Sequence, residues 1–424
     1  MLHPTSPKQP PPEHQRDWYP YYAGFTKEFV DYVLSEHASA ARKVLDPWNG
    51  SGTTTAACVQ RGLSATGVDI NPVSTVIARA RLTPRSVADS LIPLAAKILY
   101  AARQHELAAR PSDLLAIWLR PEACGRIRAL QAAIHSALTD LPANTEEKLT
   151  PVVLAKRLPL LACFYYTILF AVTREILRPF KASNPTWTRK PVSYRHRLAP
   201  SWPQIQESFF RQAAALSDRL TICFDNHLEP LAELRTASAT RLPFPTCSFD
   251  AVVTSPPYAT RIDYVHSALP ELAAMAATKE EVAVLRRLST GSPVIRKPSS
   301  SLASLSSENA RRLLRRIASH HSKGSRSYYH PWMKIYLSDL QRGLQETARV
   351  VNPPGSIAIV VQDSHYKEIP VRLQEIVVEM MDAEGRSLVH RNDFAVKHHR
   401  AWMNPRAARH LAVRRNKESL LVFR

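Results

Sequence analysis

The sequence predicts an α/β protein built on a mostly parallel sheet, and three observations predict it. Residues 43–70 read as strand, glycine loop, helix and strand, which is a βαβ unit. A second buried strand, Phe249-Asp250-Ala251-Val252-Val253-Thr254, runs directly into Ser255-Pro256-Pro257-Tyr258. A third strand signal at 356–361 follows a helical pattern at 333–349. Strands alternating with helical patterns point to parallel pairing.

Each element has its own signal. Lys43-Val44-Leu45 is a short apolar strand ending at Asp46, and the loop Pro47-Trp48-Asn49-Gly50-Ser51-Gly52 opens a helix at 53–61. Gly62 stops that helix, and 65–70 is the next strand. A helix at 27–36 precedes the unit, behind a Pro-rich leader expected to be disordered to about residue 15. Five of the 11 glycines (Gly24, Gly50, Gly52, Gly62, Gly67) fall before residue 68, which marks a place of sharp turns or close approach. Between 89 and 234 the spacing becomes helical, at 91–107, 160–177 and 205–220, with almost no strand signal. Residues 286–327 are rich in Ser and Arg and read as a mobile loop or a small helical insert. The proline-rich turn Asn352-Pro353-Pro354-Gly355 separates the 333–349 helix from its strand, and a helix at 371–381 and strands at 387–396 and 419–423 close the chain. The organisation expected is a leader at 1–15, a discontinuous core of 16–88 and 235–424, a helical insertion at 89–234 and a basic insert at 286–327.

Composition bounds the function. In 424 residues, 56 Lys and Arg face 36 Asp and Glu, a formal net charge of +20, so an acidic partner is expected, nucleic acid ahead of an anionic membrane. The longest apolar run, 158–172, falls short of the roughly 20 residues of a membrane span and reads as a buried helix. The five cysteines stand singly, which argues against a disulfide framework and a structural zinc and for a reducing, cytoplasmic setting. The pairs His320-His321 and His398-His399 lack metal spacing, and no metal is expected. Cations concentrate in two runs. Ten lie between 286 and 330 against one acid, Glu308, and eight lie between 391 and 417 against one acid, Asp393. Arg296, Lys297, Arg311, Arg312, Arg315, Arg316, Lys323, Arg326, Arg400 and Arg406 are the candidate phosphate contacts. Trp187 reads equally as a base contact or a core residue.

Two motifs carry chemistry. The glycine loop has Asp69 at the end of the following strand, 23 residues after Asp46. In a doubly wound sheet an acid there takes ribose hydroxyls while the glycines let a cofactor lie on the backbone. A purely structural strand–turn–helix has the same spacing. In the second motif, two prolines hold the chain extended and present the carbonyls and Ser255 outward, beside the Tyr258 ring. That suits a planar ring with an exocyclic amine, although an ordinary strand-ending turn can also read this way.

Together the motifs resemble the S-adenosylmethionine-dependent amino-methyltransferases of DNA, with their DPFxGSGTT cofactor motif and (D/N/S)PP(Y/F) catalytic motif. Trp48 stands where that family usually has Phe. The likeness extends in order through Trp18-Tyr19-Pro20-Tyr21-Tyr22-Ala23-Gly24-Phe25, Gly67-Val68-Asp69-Ile70-Asn71-Pro72, Arg241-Leu242-Pro243-Phe244, the Arg349 to Gly355 turn and the closing strand at 418–423. Where the family often has an adenine-facing acid, this chain has Ser238 or Thr240.

The resemblance implies a Rossmann-like class I methyltransferase fold: a twisted, mostly parallel sheet with a terminal antiparallel hairpin, plus a mainly helical insertion for target recognition. It implies S-adenosylmethionine held by Tyr22, Phe25, Asp46, Pro47, Trp48, Gly50, Gly52, Thr53, Asp69 and Asn71. It implies catalysis by Ser255, Pro256, Pro257 and Tyr258 on a base flipped from duplex DNA, with cytosine N4 favoured by the serine. N6 of adenine is the alternative within the class, and a non-catalytic DNA-binding protein retaining the fold is the alternative outside it. A nucleoid-associated location and a partner nuclease or defence component accompany that expectation.

Overall fold

The computed structural model describes residues 7, 18–19, 26–104, 107, 112–140, 149–182, 187–221, 231–296, 304–395 and 417–424. In chain order the helices are α1 (Lys27–His37), α2 (Thr53–Gln60), α3 (Pro72–Arg81), α4 (Ala88–Arg103), α5 (Pro121–Leu138), α6 (Pro151–Arg157), α7 (Leu160–Ile176), α8 (Trp202–Ser217), α9 (Tyr264–Ser267), α10 (Leu269–Ala274), α11 (Lys279–Leu288), α12 (Glu308–Ser319), α13 (His330–Val350) and α14 (Leu373–Asp382). The strands are β1 (Lys43–Asp46), β2 (Ser64–Asp69), β3 (Ala232–Thr236), β4 (Phe249–Thr254), β5 (Val351–Gln362), β6 (Ser364–Tyr366), β7 (Ile369–Val371), β8 (Leu388–Ala395) and β9 (Lys417–Phe423).

Seven strands form one sheet in the order β3-β2-β1-β4-β5-β9-β8, while β6 and β7 form a small hairpin beside it. β1 pairs in parallel with both β2 and β4, β2 with β3, and β4 with β5. β9 is antiparallel to β5 and to β8, so it alone runs against the rest of the sheet. The arrangement is the Rossmann-like methyltransferase fold, closed by an antiparallel hairpin whose last strand inserts next to β5. The strand order reverses at β1, and a crevice therefore opens beyond the carboxyl ends of β1 and β4.

Alternation along the strands sorts the core into layers. Val44, Ala251, Val253, Ala358, Val360, Leu420 and Val422 face α1 and α2. Leu45, Val252, Ile357, Ile359, Val361, Leu421 and Phe423 face α12, α13 and α14. A third cluster joins α3 to α4, α5, α7, α8 and α10. Its centre is α7, which is apolar on almost every side and buried for most of its length. Among the described residues no helix is long and apolar enough to cross a membrane.

The structure departs from the sequence reading at β3 and β5, and decides between alternatives left open by the sequence at α12 and Trp187. β3 lies partly within the stretch read as helical, because Ala-Glu-Leu-Arg-Thr at a sheet edge alternates between intermediate and exposed positions and carries no apolar run. The Ser/Arg-rich stretch contains an ordered helix, α12, which buries Ala310, Leu313, Leu314 and Ile317 behind a Ser307 N-cap. β5 begins at Val351, ahead of the proline-rich turn, and its register against β4 slips between Phe249 and Ala251. Trp187 is 52% exposed and so is not a core residue.

Candidate functional site

A cleft of about 940 Å³, including the space open to solvent, occupies the crevice beyond β1, β2 and β4. Asp46, Pro47, Trp48, Asn49, Gly50, Ser51, Thr53 and Thr54 form its floor, and Asp69, Ile70 and Asn71 one side. Ser238 and Ala239 extend that side, and Ser255, Pro256, Pro257 and Tyr258 stand opposite. Tyr264, Val265, Leu288, Ser289 and Thr290 complete the wall.

Two carboxylates organise the floor. Asp46 is 3% exposed, and its Oδ1 accepts from the Trp48 backbone N–H at 3.1 Å and from Thr254 Oγ1 at 2.6 Å. The second bond ties the end of β1 to the end of β4, which positions the catalytic-motif candidate against the glycine loop. Asp69 accepts from the Gly50 N–H at 3.0 Å through Oδ2 and from the Asn71 N–H at 2.8 Å through Oδ1. Burial pushes both carboxyls up to about 6, against the hydrogen bonds that favour their ionised forms. Asn71 also caps α3, its Oδ1 accepting from the Val73 N–H at 3.1 Å.

The loop closes tightly. Gly52 has φ +79°, and a Cβ there would lie 2.7 Å from Ala78 Cβ. Gly52 therefore supports the floor from behind while Gly50 lines it. Trp48 packs against α13 at Gly343, where a Cβ would come within 2.5 Å of Trp48 Cζ2. A smaller ring at 48 would leave that space empty, so the Trp and the glycine are a matched pair. Thr53 Oγ1 accepts from Arg81 at 2.9 Å.

The Ser-Pro-Pro-Tyr segment is held from three directions. Tyr336 of α13 donates to the Pro257 carbonyl at 2.9 Å, and Ser364 of β6 donates to the Ala259 carbonyl at 3.1 Å. The Ser255 hydroxyl donates to Tyr258 Oη at 3.2 Å, and Tyr258 Oη donates to Glu418 Oε1 of β9 at 2.7 Å. Burial first, and the Glu418 charge second, hold the Tyr258 phenol protonated far above its ordinary range. Among the described residues no donor meets the Pro256 carbonyl.

Of the residues singled out from sequence, Asp46, Pro47, Trp48, Gly50, Thr53, Asp69, Asn71, Ser255, Pro256, Pro257 and Tyr258 meet around this cleft. Tyr22, Phe25, Lys297, Arg400 and Arg406 lie outside the described residues. Ser238 Oγ sits 2.8 Å from Thr240 Oγ1 on the rim. The described cationic candidates lie away from the cleft lining. Arg296 pairs with Asp339 at 2.5 Å, and Arg311 and Arg315 pair with Glu308 at 2.9 and 2.7 Å. Arg326 donates to the Ala318 carbonyl at 3.0 Å, while the side chains of Arg312, Arg316 and Lys323 are exposed. Sequence reasoning missed the wall formed by Tyr264, Val265, Leu288, Ser289 and Thr290, which has no motif, and it missed Glu418 as a partner of Tyr258. Among the described residues no cluster of His, Cys, Asp or Glu is able to hold a metal ion.

No family model matches the chain. Over 70 residues it is 34% identical to the Type II methyltransferase M.MjaII of Methanocaldococcus jannaschii, a stretch covering 16% of this chain. Over 254 residues it is 25% identical to the Type II methyltransferase M.MvaI of Kocuria varians, covering 55% of this chain. The chain spans 13% and 49% of the length of these two relatives. Among solved structures, the rRNA methyltransferase aviRa from Streptomyces viridochromogenes aligns over 95% of this chain and 87% of its own, with 11% identity and a TM-score of 0.28. A Rossmann-like methyltransferase sheet with a cleft at its switch point thus accompanies sequence similarity to type II methyltransferases over part of the chain.

Proposed function

We propose that the protein transfers the methyl group of S-adenosylmethionine to the exocyclic amine of a base in duplex DNA, N4 of cytosine being the favoured acceptor. One observation carries this reading: the Asp46/Asp69 glycine loop and the Ser-Pro-Pro-Tyr segment open into one cleft at the switch point of the sheet. The similarity to type II methyltransferases supports it.

The donor set fits the cofactor. Each Asp69 oxygen accepts one backbone N–H, which orients the carboxylate and leaves lone pairs for a ribose diol. Gly50 lets a ligand lie against the backbone, and two carboxylates on the floor complement a sulfonium cation. The bound sulfonium supplies an electrophilic methyl group.

The remaining work belongs to this chain's residues. Ser255 donates its hydroxyl hydrogen bond to Tyr258, so its lone pairs are available to an amine N–H in the cleft. The Pro256 carbonyl is a second acceptor beside it. Accepting hydrogen bonds from both amine N–H groups concentrates the lone pair on nitrogen, and holding that nitrogen in line with the methyl group would supply much of the rate. One amine proton would be lost to solvent as the N–C bond replaces the C–S bond. Tyr258 offers its ring face to the base, and Leu288, Val265 and Tyr264 supply apolar surface to the same cleft. Helices α4 to α8 are the proposed target-recognition unit. Arg312, Arg316, Lys323 and Arg326, with Lys297, Arg400 and Arg406, remain candidate phosphate contacts.

The test is expression in a methylation-free host, followed by sequencing of its DNA with base-modification detection. N4-methylcytosine in one sequence context is expected, and Ser255→Ala abolishes it. N6-methyladenine alone would overturn the choice of base. No modified base, with wild type and Ser255→Ala indistinguishable at equal expression, would overturn DNA methylation.

A further inference from the structure

Residues 178–200 contain six Lys and Arg (Arg178, Lys181, Arg189, Lys190, Arg195, Arg197) and no Asp or Glu. The described backbone on either side of residues 183–186 is pinned. Lys181 and Thr188 form an antiparallel bridge, the Ala182 N–H reaches the Trp187 carbonyl at 3.1 Å, and the Arg189 N–H reaches the Phe180 carbonyl at 2.7 Å. Residues 183–186 between them lie outside the described residues. Trp118, wholly buried ahead of α5, anchors the segment at two points. Its Nε1 donates to the Arg189 carbonyl at 2.9 Å, and its carbonyl accepts from the Leu198 N–H at 2.9 Å.

Arg189 Nη2 donates to the Lys181 carbonyl at 3.1 Å, and the charges of the segment otherwise face outward. Arg178, Lys181, Arg189, Lys190 and Arg195 are exposed, and among the described residues no carboxylate pairs with any of the six cations. Arg296, Arg311 and Arg315, by contrast, each have a carboxylate partner. A pinned, self-repelling set of cations is complemented by an anion from outside the chain. Two large aromatics stand among them: Trp187 is 52% and Tyr194 55% exposed, with the Arg197 guanidinium 4.9 Å from the Tyr194 ring. Cations interleaved with separated aromatics suit a phosphate backbone and base faces. A membrane surface calls instead for one continuous apolar face, which the described residues of this segment lack.

The location ties the segment to the cleft. The Trp187 ring lies 5.0 Å from His266 of α9, the helix that supplies Tyr264 and Val265 to the cleft wall. Burial lowers the His266 pKa, the Asp263 charge opposes this, and Arg286 and then Lys190 add to the lowering, so Lys190 lies within electrostatic reach of α9.

We propose that the basic residues of 178–182 and 187–197 grip duplex DNA beside the cleft, their cations meeting phosphates and Trp187 stacking next to the base that enters. The inference rests on the reading of the cleft as a DNA methyltransferase site and assigns the surface that presents the duplex to it. The phosphate contribution is independent of sequence, so a fluorescent duplex of mixed sequence serves as the probe. Its affinity for the full chain is measured by anisotropy across a salt series. R189Q/K190Q is expected to reduce the slope of log affinity against log salt by about 1.8, twice the ~0.9 of one phosphate contact. W187A weakens binding about tenfold with the slope unchanged. R42Q/K43Q, which removes the same exposed charge at the amino end of β1, away from the cleft at its carboxyl end, leaves the slope at its wild-type value. All three variants keep wild-type S-adenosylmethionine affinity by calorimetry, which shows that they fold. An unchanged slope in R189Q/K190Q, or an equal fall in R42Q/K43Q, overturns the assignment even where the wild type methylates DNA. A wild type that neither binds the duplex nor methylates DNA overturns the underlying reading as well.

Discussion

The Tyr258 hydroxyl donates to Glu418 at 2.7 Å while accepting the Ser255 proton at 3.2 Å, so a residue of the last strand sets the hydroxyl direction at the head of the Ser-Pro-Pro-Tyr segment. An ionised glutamate accepts and does not donate. The tyrosine proton therefore points to Glu418, the tyrosine oxygen receives the serine proton, and the serine lone pairs are left for the cleft. Such a chain of bonds in a buried setting strengthens each member.

Tyr258→Phe interrupts this chain without removing the ring. The expected outcome is a fall in kcat of about ten- to hundredfold, with S-adenosylmethionine affinity by calorimetry within about twofold of wild type. Glu418→Gln should fall in the same range, because an amide can donate to the tyrosine oxygen and turn its proton around. Wild-type turnover in both variants would rule out a role for the relay.

The two floor carboxyls predict a pH dependence. With pKa values raised to about 6, Asp46 and Asp69 are ionised at pH 7.5 and protonated at pH 5. A sulfonium cation favours the ionised pair, so cofactor affinity should hold steady above pH 7 and fall as pH drops through 6. Stability moves the opposite way. Between about pH 4 and pH 6 the folded chain holds more protons on these groups than the unfolded chain does, so their contribution to stability falls as pH rises through that window. Asp69→Asn should flatten both trends, as read by calorimetry and by thermal melts over pH 5–8.

Trp48 and Gly343 should behave as a coupled pair. Gly343→Ala places a methyl group 2.5 Å from Trp48 Cζ2, which forces the indole and the loop behind it to shift. Cofactor affinity should fall about tenfold and stability by about 1–3 kcal/mol. Trp48→Phe removes the outer ring and should restore much of both losses in the double variant, although alone it leaves a void. Additive losses in the four-variant cycle would show that the two positions are independent.

Gly52→Ala tests the loop itself. At φ +79° the backbone disfavours a side chain, and the added Cβ meets Ala78 at 2.7 Å. A loss of about 2 kcal/mol is expected, read by urea unfolding, with weaker cofactor binding because Gly50 moves with the same turn. Gly62→Ala is the comparison: it also has positive φ but no atom within 4 Å of the added carbon, so it should cost less.

Much of the chemistry is local and was legible for that reason. The glycine loop, Asp46, Asp69 and Ser-Pro-Pro-Tyr are short segments whose residue types follow from what a strand end and a tight turn must do. The order of strands and helices followed from periodicity, and β1, α2, β2, β4 and α7 lie within a few residues of where the patterns put them. α12 was legible in principle, since Ser307 followed by Ala310, Leu313, Leu314 and Ile317 is a capped amphipathic helix, but its Ser and Arg content masked the stripe. β3 was not, because an exposed edge strand needs no apolar run.

Sequence alone thus determined the βαβ core, the two motifs and the basic balance of the chain, all of which depend on neighbours in the chain. Only the tertiary structure decided what meets across it. It put Glu418 of β9 behind Tyr258, Gly343 of α13 behind Trp48, and Leu288 to Thr290 into the wall of the cleft that the glycine loop lines. It also decided which cations have carboxylate partners, as Arg296 does with Asp339 across 43 positions. These relations depend on strand order and helix packing, and no spacing along the chain encodes them.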